Sequence, residues 1–251
     1  MTRIILSGCN GKMGRVITDL VSQTEDCTIV AGVDINTDSI KYPVFDTIDK
    51  TIGIDADVVI DFSHPSVLNP LLDYSKKTGT PLVLSTTGYS AEQTELIKQS
   101  AKVIPIFFSF NMSLGVNLLI ELAKKAACLL ADNFDIEIIE AHHNQKIDAP
   151  SGTAVMISEA IKDSLCDSDY YDVFDRHSVR EKRNKKEIGL HSIRGGTIVG
   201  EHTVMFAGND EIVSISHSAR SKGIFASGAV KAAVFMVGKP AGIYSMKDLI
   251  G

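Results

Sequence analysis

Residues 2–23 read TRIILSGCNGKMGRVITDLVSQ, and their order decides the fold of the first half of the chain. Residues 3–7 form a short apolar run, glycines follow at 8, 11 and 14, and residues 16–23 carry helical periodicity. That order predicts strand, glycine turn, helix. The three glycines let the backbone turn tightly, approach a pyrophosphate and bring helix against strand, while the helix N-terminus attracts phosphate charge. Such spacing is common by itself. It gains weight here because a second apolar run, residues 28–33, ends at Asp34, where a carboxylate would bind the hydroxyls of an adenine ribose.

Working outward, DVVIDF (57–62), LVLS (82–85) and VIPIFF (103–108) read as further strands, with helical stretches at 67–77 and 91–101. Alternating strand and helix predicts a parallel, doubly wound α/β sheet. The loops at the carboxyl ends of its strands, SHPS (63–66), STTG (85–88) and SFNMS (109–113), would line the cofactor crevice. All three also read as plain surface turns, the first more readily than the other two. Ile35 follows Asp34 where a basic residue would be needed to hold a 2′-phosphate, so this corner leans toward NADH, and Lys12 at the mouth of the turn leaves NADPH open.

Composition narrows the function classes. The chain has 251 residues, is 44% hydrophobic and 22% charged, and carries a net charge of −6, which offers no basic excess for nucleic acid. RHSVREKRNKKE (176–187) is a local basic cluster, read as a solvated loop or as a guide for an anionic substrate. Cysteines 9, 27, 128 and 166 lack metal-binding or disulfide-framework spacing, so neither a metal nor a disulfide is expected. MTRIILSG at the start is unlike a signal peptide and no apolar run reaches membrane-spanning length. A cytoplasmic protein is the expectation.

The second half has another texture. Residues 116–130 recur apolar at helical spacing, and 189–194, 197–206 and 211–216 are short alternating runs joined by glycine-containing turns, which suit an open, largely antiparallel or mixed sheet. A last helix over 224–237 could return to the nucleotide domain. The expected boundaries are therefore 1–113 with 222–251 for dinucleotide binding, and 114–221 for a second, α+β domain.

Within that second domain EAHHNQKIDAPSGTA (140–154) concentrates chemistry on one strand-to-helix loop. Consecutive strand residues face opposite ways, so His142 and His143 have separate roles unless the strand has already ended. Ser151 or Thr153 can cap the following helix, and the amides around Gly152 and Thr153 then seat a carboxylate or phosphate, with Lys146 adding positive charge. Histidine is the commonest general acid. A lone histidine is more often structural, but several polar groups converging on one loop favour an active site.

With these residues in view, the chain resembles the dihydrodipicolinate reductase family of lysine and diaminopimelate biosynthesis. The resemblance rests on EAHHNQKIDAPSGTA, GCNGKMG, STTG, NMSLGVN (111–117) and RGGTIVGEHTVMF (194–206). It implies a Rossmann-type sheet plus an α+β substrate and tetramerisation domain, a small dicarboxylate substrate, NADH or NADPH as cofactor, and a homotetramer. It implies that His142 donates or accepts the proton, that Lys146 contacts substrate and donates a proton, and that His143, Gly152 and Thr153 bind substrate. Gly8, Cys9, Asn10, Gly11, Lys12, Met13, Asp34, Ser85, Thr86, Thr87, Ser109, Phe110, Asn111 and Met112 match nucleotide contacts. Two positions depart from the pattern: Ile35 stands where many members have arginine, and Ser85 where glycine is common. A homoserine dehydrogenase explains the first half as well but leaves HHNQK without a purpose, and a redox-sensing nucleotide-binding protein predicts missing catalytic groups.

Overall fold

The apolar run at the start becomes strand β1 (Thr2–Ser7) because its residues are buried on both faces, as a central parallel strand requires. The computed structural model describes residues 1–38, 41–166 and 169–251, and the chain divides into two compact units, Met1–Leu114 with Lys222–Gly251, and Gly115–Ser221.

In the first unit β1 leads into helix α1 (Lys12–Val21) and strand β2 (Cys27–Val33), followed by β3 (Val44–Phe45) and β4 (Val58–Asp61). Helix α2 (Leu68–Thr78), β5 (Leu82–Leu84), α3 (Ala91–Ser100) and β6 (Pro105–Phe108) continue the alternation. After the second unit come α6 (Gly223–Met236), β12 (Gly242–Tyr244) and α7 (Met246–Ile250). The strands lie in the order β12-β6-β5-β4-β1-β2-β3, all parallel. Strand order reverses between β1 and β4, which is where a doubly wound sheet opens its ligand crevice.

Strand period two sorts the core. Ile4, Leu6, Val58 and Ile60 pack with Ile17 of α1 and Ala229 and Ala233 of α6, whereas Ile5, Val59, Leu82 and Leu84 pack with Leu71 and Leu72 of α2 and Ile97 of α3. Residues 44–45 and 242–244 were too short to signal strands; both are edge additions, and β12 extends the sheet beyond β6. The third run begins at Pro105, not at 103.

The second unit holds α4 (Leu114–Leu130, all but its first residue), β7 (Asp135–His142), α5 (Gly152–Ser164), β8 (Tyr171–Val173), β9 (Glu187–Arg194), β10 (Gly200–Ala207) and β11 (Ile212–Ala219). Its sheet runs β11-β10-β7-β9-β8. The β11-β10-β7 pairs are antiparallel and the β7-β9-β8 pairs parallel, so the sheet is mixed. Ile136, Ile138, Leu190, Val204 and Phe206 form one covered face under Leu119, Ala123 and Ile157 of the helices. Most of the basic stretch 176–187 is exposed, as the solvated reading expects, but Arg183 within it bonds Glu137 Oε1 at 2.9 Å and the Ile136 carbonyl at 2.9 Å, which anchors that one charge to the sheet.

Two glycines of the first turn are sterically obligatory. Gly8 has φ +78°, and a Cβ there would lie 2.5 Å from the Phe62 carbonyl oxygen; a Cβ at Gly14 would run into the carbonyl oxygens of Gly8 and Cys9. Gly14→Ala should therefore destabilise the protein by about 1–3 kcal/mol, the range for overpacking a closed contact. Urea unfolding measures it, and unchanged stability would show that α1 can slide away from β1.

Candidate active site

In the first unit the turn after β1 and the end of β2 are joined by a carboxylate. Asp34 accepts the Asn10 amide at 2.9 Å on one oxygen and the Asn36 amide at 3.1 Å on the other. The Asn10 side chain donates to the carbonyls of Asn36 (2.7 Å) and Asp38 (3.1 Å). Gly11 is the N-cap of α1 and no side chain caps that helix, so the amides of its first turn remain available to an anion. The turn thus fits a pyrophosphate. Cys9 points into the core, where burial pushes its thiol up to about 11, so only its backbone can serve a ligand. Lys12 is exposed at the first position of α1, and Ile35 is 98% exposed beside Asp34.

Beyond β4 and β5 the loops are tied by Asp61, which is fully buried. It accepts from Ser63 Oγ at 2.5 Å and Thr86 Oγ1 at 2.6 Å, and Thr86 Oγ1 in turn accepts the Ser63 amide at 2.9 Å. Burial raises the Asp61 carboxyl above the ordinary range, with the hydroxyl donors opposing. Among the described residues the buried Ser85 hydroxyl has no hydrogen-bond partner, whereas Thr87 is exposed. In the next loop Ser109 Oγ donates to the Asn111 carbonyl at 2.8 Å, Asn111 Oδ1 accepts the Ser113 amide, Met112 packs into the core and Phe110 is exposed.

In the second unit His142 is the last residue of β7 and shares a face with Glu140 two positions earlier. His142 Nδ1 lies 2.6 Å from Glu140 Oε2. Arg194, opposite His142 in the β9 register, grips the same carboxylate with two bonds of 2.8 Å, and the Ser151 amide donates to Oε1 at 3.1 Å. Burial alone would push the Glu140 carboxyl up; the bonds from Arg194, His142, Ser192 and Ser151 outweigh it and bring it down to about 2. An ionised carboxylate only accepts, so the hydrogen on His142 sits at Nδ1. Nε2 is left as the atom that can exchange a proton. It lies over Gly200, where an added Cβ would be 3.1 Å away.

Ser151, not Thr153, caps α5: its hydroxyl accepts the Ala154 amide at 3.2 Å. Gly152 and Thr153 follow as the first two residues of the helix. His143 lies just past the strand end and its carbonyl accepts the Lys146 amide at 3.2 Å. Lys146 Nζ is 2.8 Å from Asp148, whose carboxyl it holds below the usual range, burial opposing and the Gly152 amide adding to the effect. The structure therefore brings His142 together with Ser151 through Glu140, and Lys146 together with the start of α5 through Asp148. Arg194, His202 and Asp61 were passed over in the sequence reading. For Glu140 and His142 the signal was available in their two-residue spacing; for Arg194 and His202 it required the register.

A doubly wound first unit and a second unit carrying an oriented histidine define a two-unit, dinucleotide-fold oxidoreductase. Residues 2–112 match the family model "Dihydrodipicolinate reductase, N-terminus" and residues 115–250 match "Dihydrodipicolinate reductase, C-terminus"; the chain belongs to the dihydrodipicolinate reductase family and is a nicotinamide-dependent reductase. It is 50% identical to the 4-hydroxy-tetrahydrodipicolinate reductase of Clostridium novyi over 251 residues, covering 100% of this chain and 98% of that one. It is 51% identical to that of Clostridium tetani, covering 100% and 97%. Among solved structures, dipicolinate-bound dihydrodipicolinate reductase from Paenisporosarcina sp. TG-14 has the same fold, with a TM-score of 0.81 at 24% identity over 98% of this chain and 97% of that one. Among the described residues no helix is long and apolar enough to cross a membrane.

The site makes stability depend on pH. Burial, then the neighbouring His142, push the His202 imidazole from 6.5 down to about 4. As pH falls between these values the unfolded chain binds a proton that the folded chain refuses, so stability is lost from pH 6.5 toward 4. Glu140, lowered from 4.5 to about 2, adds a second loss in that lower window. Urea midpoints should fall across both windows, and His202→Gln should flatten the upper one; equal slopes in variant and parent would refute the assignment.

Proposed function

We propose that the chain reduces 4-hydroxy-tetrahydrodipicolinate, by way of dihydrodipicolinate, to tetrahydrodipicolinate, with His142 as the proton donor. One observation carries this reading: the Glu140 carboxylate takes His142 Nδ1 at 2.6 Å and leaves Nε2 free to serve the ring, in a chain of this family. When bound, the reduced nicotinamide supplies the hydride. Glu140 fixes the tautomer of His142, and Arg194 fixes Glu140. Lys146 and the amides of Gly152 and Thr153 bind a substrate carboxylate, and His143 contributes from beyond the strand end. Seating that carboxylate requires Lys146 and the Gly152 amide to exchange their bonds to Asp148 for bonds to substrate.

For the cofactor, Gly8, Cys9, Asn10, Gly11, Lys12 and Met13 form the turn that would hold the pyrophosphate, with the amides that open α1, those of Lys12 and Met13, as its donors, and Asp34, oriented by two amides, would receive the adenine ribose. Ser85, Thr86, Thr87, Ser109, Phe110, Asn111 and Met112 form the loops assigned to the nicotinamide side. Ile35 offers no cation beside Asp34, so the reading leans to NADH, with the exposed Lys12 leaving NADPH open. We assign the homotetramer to the uncovered face and edge of the second unit's sheet, a reading supported by the exposure of Ile193 and Ile212.

His142→Ala should lower turnover of enzymatically generated substrate by about 10²–10⁴-fold, the usual worth of a general acid. Lys146→Ala should lower kcat/KM strongly, and both variants should bind NADH as the parent does. Near-normal turnover in both would sink the assignment. The kcat/KM ratio of NADH to NADPH should exceed one, and Asp34→Ala should shift it toward NADPH by about tenfold through loss of charge repulsion; an unmoved ratio would clear Asp34 of any role in the choice.

A further inference from the structure

We infer that His202 is a positioning residue that holds the proton donor and the substrate seat in one fixed geometry. This rests on the reading of His142 as the donor. His202 lies on β10 directly opposite Glu140 of β7 and is 4% exposed. Its Nε2 is 3.1 Å from Ser151 Oγ, the cap of the helix whose first amides form the carboxylate seat. On its other side its ring meets the His142 ring edge to face, with centroids 5.2 Å apart and planes at 74°.

These contacts close a ring of four residues. Glu140 Oε2 holds His142, the His142 ring abuts His202, His202 bonds Ser151, and the Ser151 amide returns to Glu140 Oε1. A single hydrogen bond at Nδ1 leaves an imidazole free to swing about that bond. The second contact, from His202, removes the swing and so fixes where Nε2 points. His202 reaches Ser151 with the same ring, so a shift of the helix start and a shift of the donor cannot occur independently.

The ring works only while His202 is neutral. Its Nδ1 is buried without a partner, so a proton there would be an unsatisfied donor. His142 lies against it, His217 stands opposite it on β11, and Lys146 adds to the positive field, while Glu140 alone favours its charge. The imidazole pushed down to about 4 agrees with this geometry.

The test is a kinetic split in the full-length enzyme, with enzymatically generated substrate. His202→Phe keeps a ring against His142 but loses the bond to Ser151, so substrate KM should rise about five- to tenfold while kcat stays within about threefold, the scale of one lost hydrogen bond. His202→Gln keeps a polar group for Ser151 but loses the ring, so kcat should fall about tenfold with KM within about threefold. Ser151→Ala should reproduce His202→Phe. Parallel loss of kcat and KM in both His202 variants, as plain packing predicts, or no change in either, would overturn the inference. Should His202→Phe not fold, Ser151→Ala carries the same test: a KM rise alone supports it, and an equal fall in kcat overturns it. Failure of the reaction reading is separate, because it would appear as turnover retained in His142→Ala.

Discussion

The Glu140 carboxylate is 1% exposed, and the whole second-unit site depends on how that charge is compensated. Taking a carboxylate out of water costs several kcal/mol, a penalty that is met only when good geometry and further hydrogen bonds satisfy its lone pairs. Here Arg194 supplies two donors, His142 one, Ser151 an amide and Ser192 a hydroxyl. Each donor is thereby fixed in turn: the histidine tautomer, the start of α5, and the Arg194 guanidinium, which also donates to the Asp148 carbonyl at 2.6 Å. Removing any one partner leaves part of a buried charge unmatched, so the residues of this site stand or fall together.

The first unit contains the opposite solution to the same problem. Asp61 is as deeply buried as Glu140 but is bonded by the hydroxyls of Ser63 and Thr86, with no bond from a cation among the described residues. Its carboxyl is pushed up where that of Glu140 is pulled down. The contrast follows from partner type, since hydroxyls tolerate a neutral acid whereas a guanidinium requires an anion. Asp61 thus fastens the loops after β4 and β5 to each other through hydroxyl donors. Glu140 places a fixed negative charge beside His142, where an oriented imidazole is wanted.

Much of this was legible in the sequence, for reasons that differ by element. The turn at 8–14 shows because Gly8 and Gly14 leave no room for a Cβ, a local constraint that writes itself into residue type. Helices α3 and α4 show through periodicity, and the capping role of Ser151 through the residues on either side. The short edge strands β3 and β12 did not show, because two or three residues cannot display a period. Arg194 and His202 could not be assigned from sequence at all. Each lies more than fifty positions from Glu140, and only the pairing of β7 with β9 and β10 brings them to it.

That pairing also explains how a site so rich in buried polar groups is stable. Along the covered face of β7, Ile136 and Ile138 give way to Glu140 and His142; β9 follows with Ile188 and Leu190, then Ser192 and Arg194; β10 follows with Phe206 and Val204, then His202 and Gly200. One face is therefore hydrophobic core over half its length and candidate site over the other half. The boundary runs straight across three strands because the register aligns it. The apolar half, packed under α4 and α5, contributes the burial that offsets the desolvation of the polar half. A one-residue slip of β10 would turn His202 to the uncovered face and bring Glu201 and Thr203 against the core. The register that builds the core is thus the same one that assembles the site, and neither can be shifted alone.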